Sequence, residues 1–408
     1  MTTMENIDFS DPEFWSFPEG FFAASRQGCP VAELPGDAGY LLTRYADVRA
    51  ASMKVKVFSS TRPVFGTGDP ELEEIAKRGY PEVPTLTNND PPEHTRFRKL
   101  VYKAFVPEVV EGLEPRIRQI ANELIDAVVD KGEMDFVRDF SELMPMMVMA
   151  DALGVPTKDF STFRLWSDNI VLTIMGYMTL DAAKRKECKE TYVDFQHYFA
   201  DLIEQRRAEP TDDMVSNLVH AKVGGERSLD VSEILDVIRA LLVAGNDTTT
   251  NLLGGTMLAL IDHPDQLAEV VTDRSLLPNM VEEALRYISP ARWTMRQMAA
   301  DAEVGGCPIP KGTRARLGWG SANRDAEKFE DPDTFDIHRD ASAHMAFGHG
   351  VHFCIGKDLA RAEGRIAFDV LFDRLTDFEL AVPREEMKPV PIPGVNRLNK
   401  LPMRFKLK

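Results

Sequence analysis

Basic runs, cysteine and long uncharged apolar stretches are all scarce in this 408-residue chain. Its formal charge is −17, from 48 lysines and arginines against 65 aspartates and glutamates. An acidic chain without a basic run is poorly matched to nucleic acid or an anionic membrane, so any use of positive charge is local. Four cysteines, at positions 29, 188, 307 and 354, are too few and too scattered for a disulfide framework. None has the close Cys–Cys spacing of a structural zinc site. This usage points to a reducing compartment, the cytoplasm. The opening MTTMENIDFSDPEFW has no basic n-region and no apolar h-region, so no signal peptide is expected. The least charged stretch, 241–261, holds one ionised residue, Asp247. Its Asn and Thr content suits a buried helix rather than a membrane span. Repeats and low-complexity linkers are missing too, which leaves one domain, 1–408, as the expected organisation.

What the chain does have is globular. Hydrophobic residues make up 44% and charged residues 28%, enough for a large core. The segments GYLLTRY and ADVRAAS predict a short strand and a short helix. Residues 61–89 are rich in Gly, Pro and polar side chains and predict a long loop. Helical patterns dominate from Pro91 to about Tyr287. Asp90-Pro91-Pro92-Glu93 predicts a helix start, with Asp90 as cap and a proline at the first helical position. Asp230-Val231-Ser232-Glu233 predicts a capping box, and the helix it opens can run to His263, before Pro264 stops it. The last third turns to strands: EVGGCPIPKGT as a hairpin, then RARLGWG, FELAV and PMRFKL. The fold class is mainly α with a minor β part.

The sharpest segment is Phe347-Gly348-His349-Gly350-Val351-His352-Phe353-Cys354-Ile355-Gly356, followed at once by a helical pattern. A cysteine ahead of a helix N-terminus sees oriented N–H groups and a positive dipole end, which favour thiolate over thiol. Such a thiolate is a good soft metal ligand. On chemistry alone an inert cysteine in a Gly-rich turn fits equally well. Ala244-Gly245-Asn246-Asp247-Thr248-Thr249 falls in the middle of the long helix. Small residues there leave room against the backbone, and an acid beside an alcohol can relay a proton; a packing notch with a solvated aspartate is the plainer reading of the same residues. Glu283 and Arg286 share a helical face, as do His94 and Arg98. Alone, each pair reads as a surface contact or a satisfied core histidine.

FGHGVHFCIGKDLAR resembles the haem-binding signature of the cytochrome P-450 family, Phe-Gly-x-Gly-x-His-x-Cys-x-Gly followed by Leu-Ala-Arg, with every fixed position filled. The other landmarks follow in order along nearly the whole chain. The resemblance implies the cytochrome P-450 fold, with a long central helix over a buried haem b. It implies Cys354 as the proximal iron ligand, shielded by Phe347 and closed by Gly356. Asp247 and Thr248 match the acid–alcohol pair of the oxygen-activation groove, with Ala244 and Gly245 at its small positions. His94, Arg98, Arg296 and His352 match the positions that hold the haem propionates, where buried carboxylates need charge-assisted donors. Glu283-x-x-Arg286 matches a structural pair. Asp333-Thr334-Phe335 has threonine where the family often has an arginine as third member of that group, for which Arg339 is the candidate substitute.

The implied function is a haem-thiolate monooxygenase that inserts one atom of O2 into an apolar small molecule. Its electrons are expected from a separate ferredoxin and an NAD(P)H-dependent ferredoxin reductase, since no fused reductase is expected. The rivals are a peroxide-driven haem peroxygenase and a non-catalytic haem sensor. By the same analogy the substrate pocket draws on residues 61–89, the stretch from Trp166 to Met178, the helix near Leu241, and Trp293 to Met295. The methionine run at 144–149 reads as core packing.

Overall fold

The computed structural model of the chain describes residues 18–34, 38–61, 69–176, 180–390 and 394–408. The first seven helices are α1 (Glu19–Gln27), α2 (Tyr45–Met53), α3 (Pro70–Ala76), α4 (Glu93–Val101), α5 (Pro107–Asp126), α6 (Leu143–Ala152) and α7 (Phe160–Gly176). The next seven are α8 (Ala182–Ala208), α9 (Met214–His220), α10 (Val231–Asp262), α11 (Pro264–Thr272), α12 (Leu277–Ile288), α13 (Trp319–Ala322) and α14 (Lys357–Arg374). The strands are β1 (Val31–Leu34), β2 (Gly39–Leu42), β3 (Phe58–Ser59), β4 (Glu133–Asp135) and β5 (Thr294–Met298). They continue with β6 (Ala302–Val304), β7 (Cys307–Ile309), β8 (Arg314–Leu317), β9 (Leu375–Leu380) and β10 (Pro402–Leu407). The chain is mainly helical with a minor β part, as its sequence predicts.

Two compact units divide the chain. Unit 1 takes Met1–Ser60, Glu114–Met144 and Asp247–Lys408; unit 2 takes Thr61–Leu113 and Pro145–Asn246. All the described strands fall in unit 1. Its largest sheet has the order β1-β2-β8-β5-β3, with β2 and β8 parallel and the other neighbours antiparallel. Leu42, Phe58, Ala315 and Leu317 from this sheet bury against Val48 and Trp319. A second sheet has the order β4-β10-β9, and β6 and β7 form a separate hairpin. Unit 2 is helical. Trp166 of α7 packs on Phe195 and Phe199 of α8, with ring centroids 6.1 and 6.4 Å away. Trp166 is therefore core of this unit, at 5% exposure. Residues 177–179, with Met178 among them, lie outside the described residues.

The capping box forms as predicted. Asp230 Oδ1 accepts from the Glu233 amide at 3.0 Å, and Glu233 Oε2 accepts from the Asp230 amide at 2.9 Å. The helix α10 that follows has 32 residues and stops one residue before His263. Two expectations are corrected. The stretch 61–89 carries a helix, α3, because Asp69-Pro70 is itself a start signal: the Asp69 side chain accepts from the Glu71 amide, and Leu72 and Ile75 bury against Val193. Helix α4 begins at Glu93 rather than at Pro91, with Pro92 at the cap position. A proline disfavours helical backbone in the residue before it, so Pro92 keeps Pro91 out of the helix, and the first bond runs from the His94 amide to the Asp90 carbonyl at 3.1 Å. The Asp90 carboxylate accepts from the Thr61 hydroxyl.

Candidate active site

Cys354 stands in a tight loop of unit 1, two residues ahead of the N-cap of α14, Gly356. Gly348 and Gly350 have positive φ, +71° and +79°. A Cβ at Gly350 would come within 2.8 Å of the Ser52 carbonyl oxygen, so both the backbone angle and the close approach demand glycine there. The loop closes on itself, with the Cys354 amide donating to the Phe347 carbonyl at 2.9 Å. Phe347 is 9% exposed, and the Arg361 guanidinium lies 4.8 Å from its ring centroid. Arg361 is fixed by two bonds to Glu282, at 2.6 and 2.9 Å, and its positive charge is felt at Cys354. His344 accepts from the Ala346 amide at Nδ1 and faces Glu282 through Nε2 at 3.2 Å. Burial works to raise the Glu282 carboxyl, but the bonds from Arg361 and His344 win and hold it at about 2. A fixed carboxylate thus keeps a fixed cation beside the cysteine loop.

Helix α10 carries the acid and the alcohol. Asp247 and Thr248 fall in unit 1, and Ala244 and Gly245, on the preceding turn, in unit 2. Ala244 and Thr248 share one helical face. A Cβ at Gly245 would come within 2.6 Å of the Met149 thioether methyl, so the small residue is needed for packing. Asp247 is not simply solvated: Arg397 Nη1 lies 3.7 Å from its Oδ1, and the other arm of Arg397 bonds Glu142 at 2.9 Å. The helix runs unbroken through Thr248, Thr249 and Thr250.

Glu363 was not legible as a site residue. It is fully buried on α14, the helix that the cysteine loop launches, and its partner is the Thr249 hydroxyl on α10. Burial outweighs that hydrogen bond and pushes the carboxyl up to about 8 from its ordinary 4.5. A signal existed: Leu359, Ala362, Glu363 and Ile366 keep the spacing of an apolar helical stripe, and an acid in such a stripe marks a buried titratable group. Asn251, one turn beyond Asp247, is 3% exposed, and among the described residues neither amide atom has a hydrogen-bond partner.

The remaining predicted donors divide between the units. Unit 1 holds Arg296, 8% exposed on β5, which donates to the Met295 carbonyl at 2.9 Å, and His352, in the turn just before Cys354. Unit 2 holds His94, 2% exposed on α4, and Arg98 on the same helix. The Glu283–Arg286 pair of α12 is completely buried. Arg286 grips the carboxylate with two bonds of 2.7 Å and donates further to the carbonyls of Asn323, Pro332 and Thr334. Arg339 Nε reaches the same carboxylate at 3.3 Å and its other arms bond Glu330, Asp331 and Thr334 carbonyls. Arg339 is thus a second arginine on the Glu283 carboxylate beside Arg286.

Among the described residues no three His, Cys, Asp or Glu side chains converge as they would around a bare ion. A lone sulfur donor at a helix start serves a metal that arrives with its own equatorial ligands, and buried Arg and His donors suit the carboxylates of a porphyrin. Within unit 1 the Cys354 loop and the buried Arg296 therefore fit haem b, the cofactor of a haem-thiolate protein. The cytochrome P450 family model matches residues 56–408. The chain is 38% identical over 381 residues to Cytochrome P450 107B1 of Saccharopolyspora erythraea, covering 92% of this chain and 91% of that protein. It is 37% identical to the Vitamin D(3) 25-hydroxylase of Pseudonocardia autotrophica, covering 95% and 93%. The structure of CYP109Q5 from Chondromyces apiculatus matches with a TM-score of 0.87 at 37% identity, over 98% of both chains. The chain belongs to the cytochrome P450 family, and it is a haem b monooxygenase of bacterial type. No described helix is long and apolar enough to cross a membrane.

Proposed function

We propose that this monooxygenase inserts one atom of O2 into an apolar small molecule and takes its two electrons from a separate ferredoxin, served by an NAD(P)H-dependent reductase. Haem b, when bound, supplies the oxygen activation. Cys354 would hold the iron, with Phe347 shielding the sulfur and Gly356 letting the loop enter α14. His94, Arg98, Arg296 and His352 would bind the propionates. Asp247 and Thr248 would pass protons inward, with Ala244 and Gly245 keeping the helix face clear beside them. The observation that carries the reading is the Thr249–Glu363 bond, which ties the acid–alcohol segment of α10 to the helix opened by the Cys354 loop. Residues 1–408 would act as one functional domain in the cytoplasm.

The names of the relatives support an apolar substrate. One is a vitamin D(3) 25-hydroxylase and another, of Saccharopolyspora erythraea, a 6-deoxyerythronolide B hydroxylase. CYP109E1 of Bacillus megaterium was solved with testosterone and matches at 34% identity with a TM-score of 0.83. Sterol-like and polyketide compounds are thus the first to screen, by displacement of haem-bound water in the Soret band, then by NADH-driven turnover with a surrogate ferredoxin and reductase. Product formed with NADH and O2 upholds the reading; product formed only with hydrogen peroxide replaces it with a peroxygenase.

Electrostatics support an acidic donor. Lys99 and Lys103 are exposed on and just after α4, in a protein of charge −17. Lys99 has Glu226 at 3.7 Å, a loose exposed pair of little strength. Arg361 and Arg365 are committed to Glu282 and Glu114 and are poor candidates for an outward patch. Opposed charge raises association rates and fixes orientation. The expected result is a first electron transfer that slows at high salt and in Lys99→Glu and Lys103→Glu, with substrate affinity unchanged. Reduction indifferent to salt and to both changes places the donor elsewhere.

A further inference from the structure

Unit 1 contains a second pair of sulfur atoms that the haem chemistry does not use. Cys29 precedes β1, and Cys307 opens β7. They are 278 positions apart in sequence, yet their Sγ atoms lie 3.4 Å from one another. Both side chains are half-buried, so a small solute can reach them, whereas Cys188 is buried.

The approach is built by its surroundings. Strands β6 and β7 pair Val304 with Cys307, leaving Gly305 and Gly306 as a two-residue turn. Both glycines have positive φ, +55° and +82°, as the primed hairpin turns require. This turn is pressed onto Pro30: a Cβ at Gly305 would come within 2.6 Å of the Pro30 ring. On the other side the Cys29 thiol donates to the Val31 carbonyl at 3.0 Å, which sets its direction. Val31 is core, and Cys307 packs on the same cluster. The Cys29 sulfur is therefore held by the backbone beside it, and Cys307 by its hairpin and the core it packs on. Closing the gap from 3.4 Å to a disulfide bond length of about 2.0 Å takes a movement of about 1.4 Å, within reach of side-chain rotation and a small hairpin shift.

We propose that Cys29 and Cys307 are a redox-sensitive modification site, a dithiol that closes to a reversible disulfide on contact with hydrogen peroxide. One thiolate attacks the peroxide O–O bond, becomes a sulfenic acid and releases one water after protonation. The second thiolate attacks that sulfur, the S–S bond forms, and the sulfenic oxygen leaves as a second water. Two thiols lose two electrons and two protons, and one peroxide is reduced to two waters. The link joins the segment ahead of β1 to the β6–β7 hairpin, and it constrains the unfolded chain across a very long loop. Peroxide is also what a haem monooxygenase releases when electrons are diverted from product, so the site can respond to the enzyme's own failed turnovers. The chemistry itself does not depend on the assigned substrate or electron donor.

The test uses the haem-loaded protein. It is treated with hydrogen peroxide, blocked with iodoacetamide, digested without reductant and read by mass spectrometry. The expected product is one linked peptide pair carrying Cys29 and Cys307, lighter by two hydrogens than the reduced pair and separated by dithiothreitol. Oxidised protein should also melt at a higher temperature, and dithiothreitol should abolish the gain. Cys29→Ser and Cys307→Ser should each prevent the link, and Cys188→Ser should not. An intact Soret band in each variant shows that its fold is kept. Alkylated Cys29 and Cys307 after peroxide, oxygen added to either sulfur without a link, or a link to another cysteine would each overturn the proposal.

Discussion

Glu363→Gln is expected to make the protein more stable at neutral and alkaline pH, although it alters a buried residue next to the active helix. The wild-type carboxyl has its folded value pushed up to about 8, against 4.5 when exposed. Between those values the folded protein keeps a proton that the unfolded chain has released. Stability then falls as pH rises, and the loss is complete above the folded value. At about 1.4 kcal/mol for each pH unit, the interval between 4.5 and about 8 amounts to about 5 kcal/mol, with about 3 kcal/mol already lost by pH 7. Glutamine has nearly the same shape and offers a carbonyl oxygen to the Thr249 hydroxyl, but it does not titrate. The assay is urea unfolding followed by far-ultraviolet circular dichroism, at several pH values from 5 to 9, for wild type and variant. The two curves should nearly meet at the acidic end and separate progressively toward pH 8. Curves that stay parallel across the range would refute the argument, because they would mean that Glu363 ionises at an ordinary pH or exchanges its proton with solvent without cost.

Three further outcomes follow from the site. Thr248→Ala should leave haem loading and substrate binding intact while product per NADH falls and peroxide rises; unchanged coupling removes Thr248 from the proton path. Cys354→His should abolish the red-shifted carbon monoxide band of thiolate haem in reduced protein, and a wild type lacking that band contradicts the ligand assignment. Glu283→Ala strands the buried Arg286 and the neighbouring Arg339, and breaking a buried ion pair costs about 3–5 kcal/mol, so urea unfolding should shift strongly or haem-loaded protein should fail to accumulate.

Local chemistry was readable from the sequence where it is written in consecutive residues. The glycine-framed Cys354 loop, the Asp230–Glu233 cap and the length of α10 all depend on neighbours within a few positions. The contacts that tune the site do not. Arg397 reaches Asp247 from 150 positions away, and Arg339 reaches Glu283 across the intervening strands, so neither pairing is visible in spacing. Glu363 hides for another reason, since a helical pattern tolerates one acid without changing its period. In 61–89 the abundance of Gly and Pro hid a start signal, Asp69-Pro70, that was itself sound. The two prolines before Glu93 marked the right helix but shifted its start, because a proline keeps the residue before it out of helical backbone.

The order β4-β10-β9 has a consequence for biosynthesis. Strand β10 is the middle of that sheet, with Met403 paired to Met134 on one side and to Leu380 on the other. Strand β4 leaves the ribosome 267 residues ahead of the strand it needs, and at ~5–20 residues per second the delay is on the order of 10–50 s. Throughout that interval both edges of Glu133–Asp135 stay unpaired, and the Pro145–Asn246 part of unit 2 is made while they wait. Nascent chains stalled before Pro402 would hold unit 1 open at this seam, a point where a chaperone has time to act.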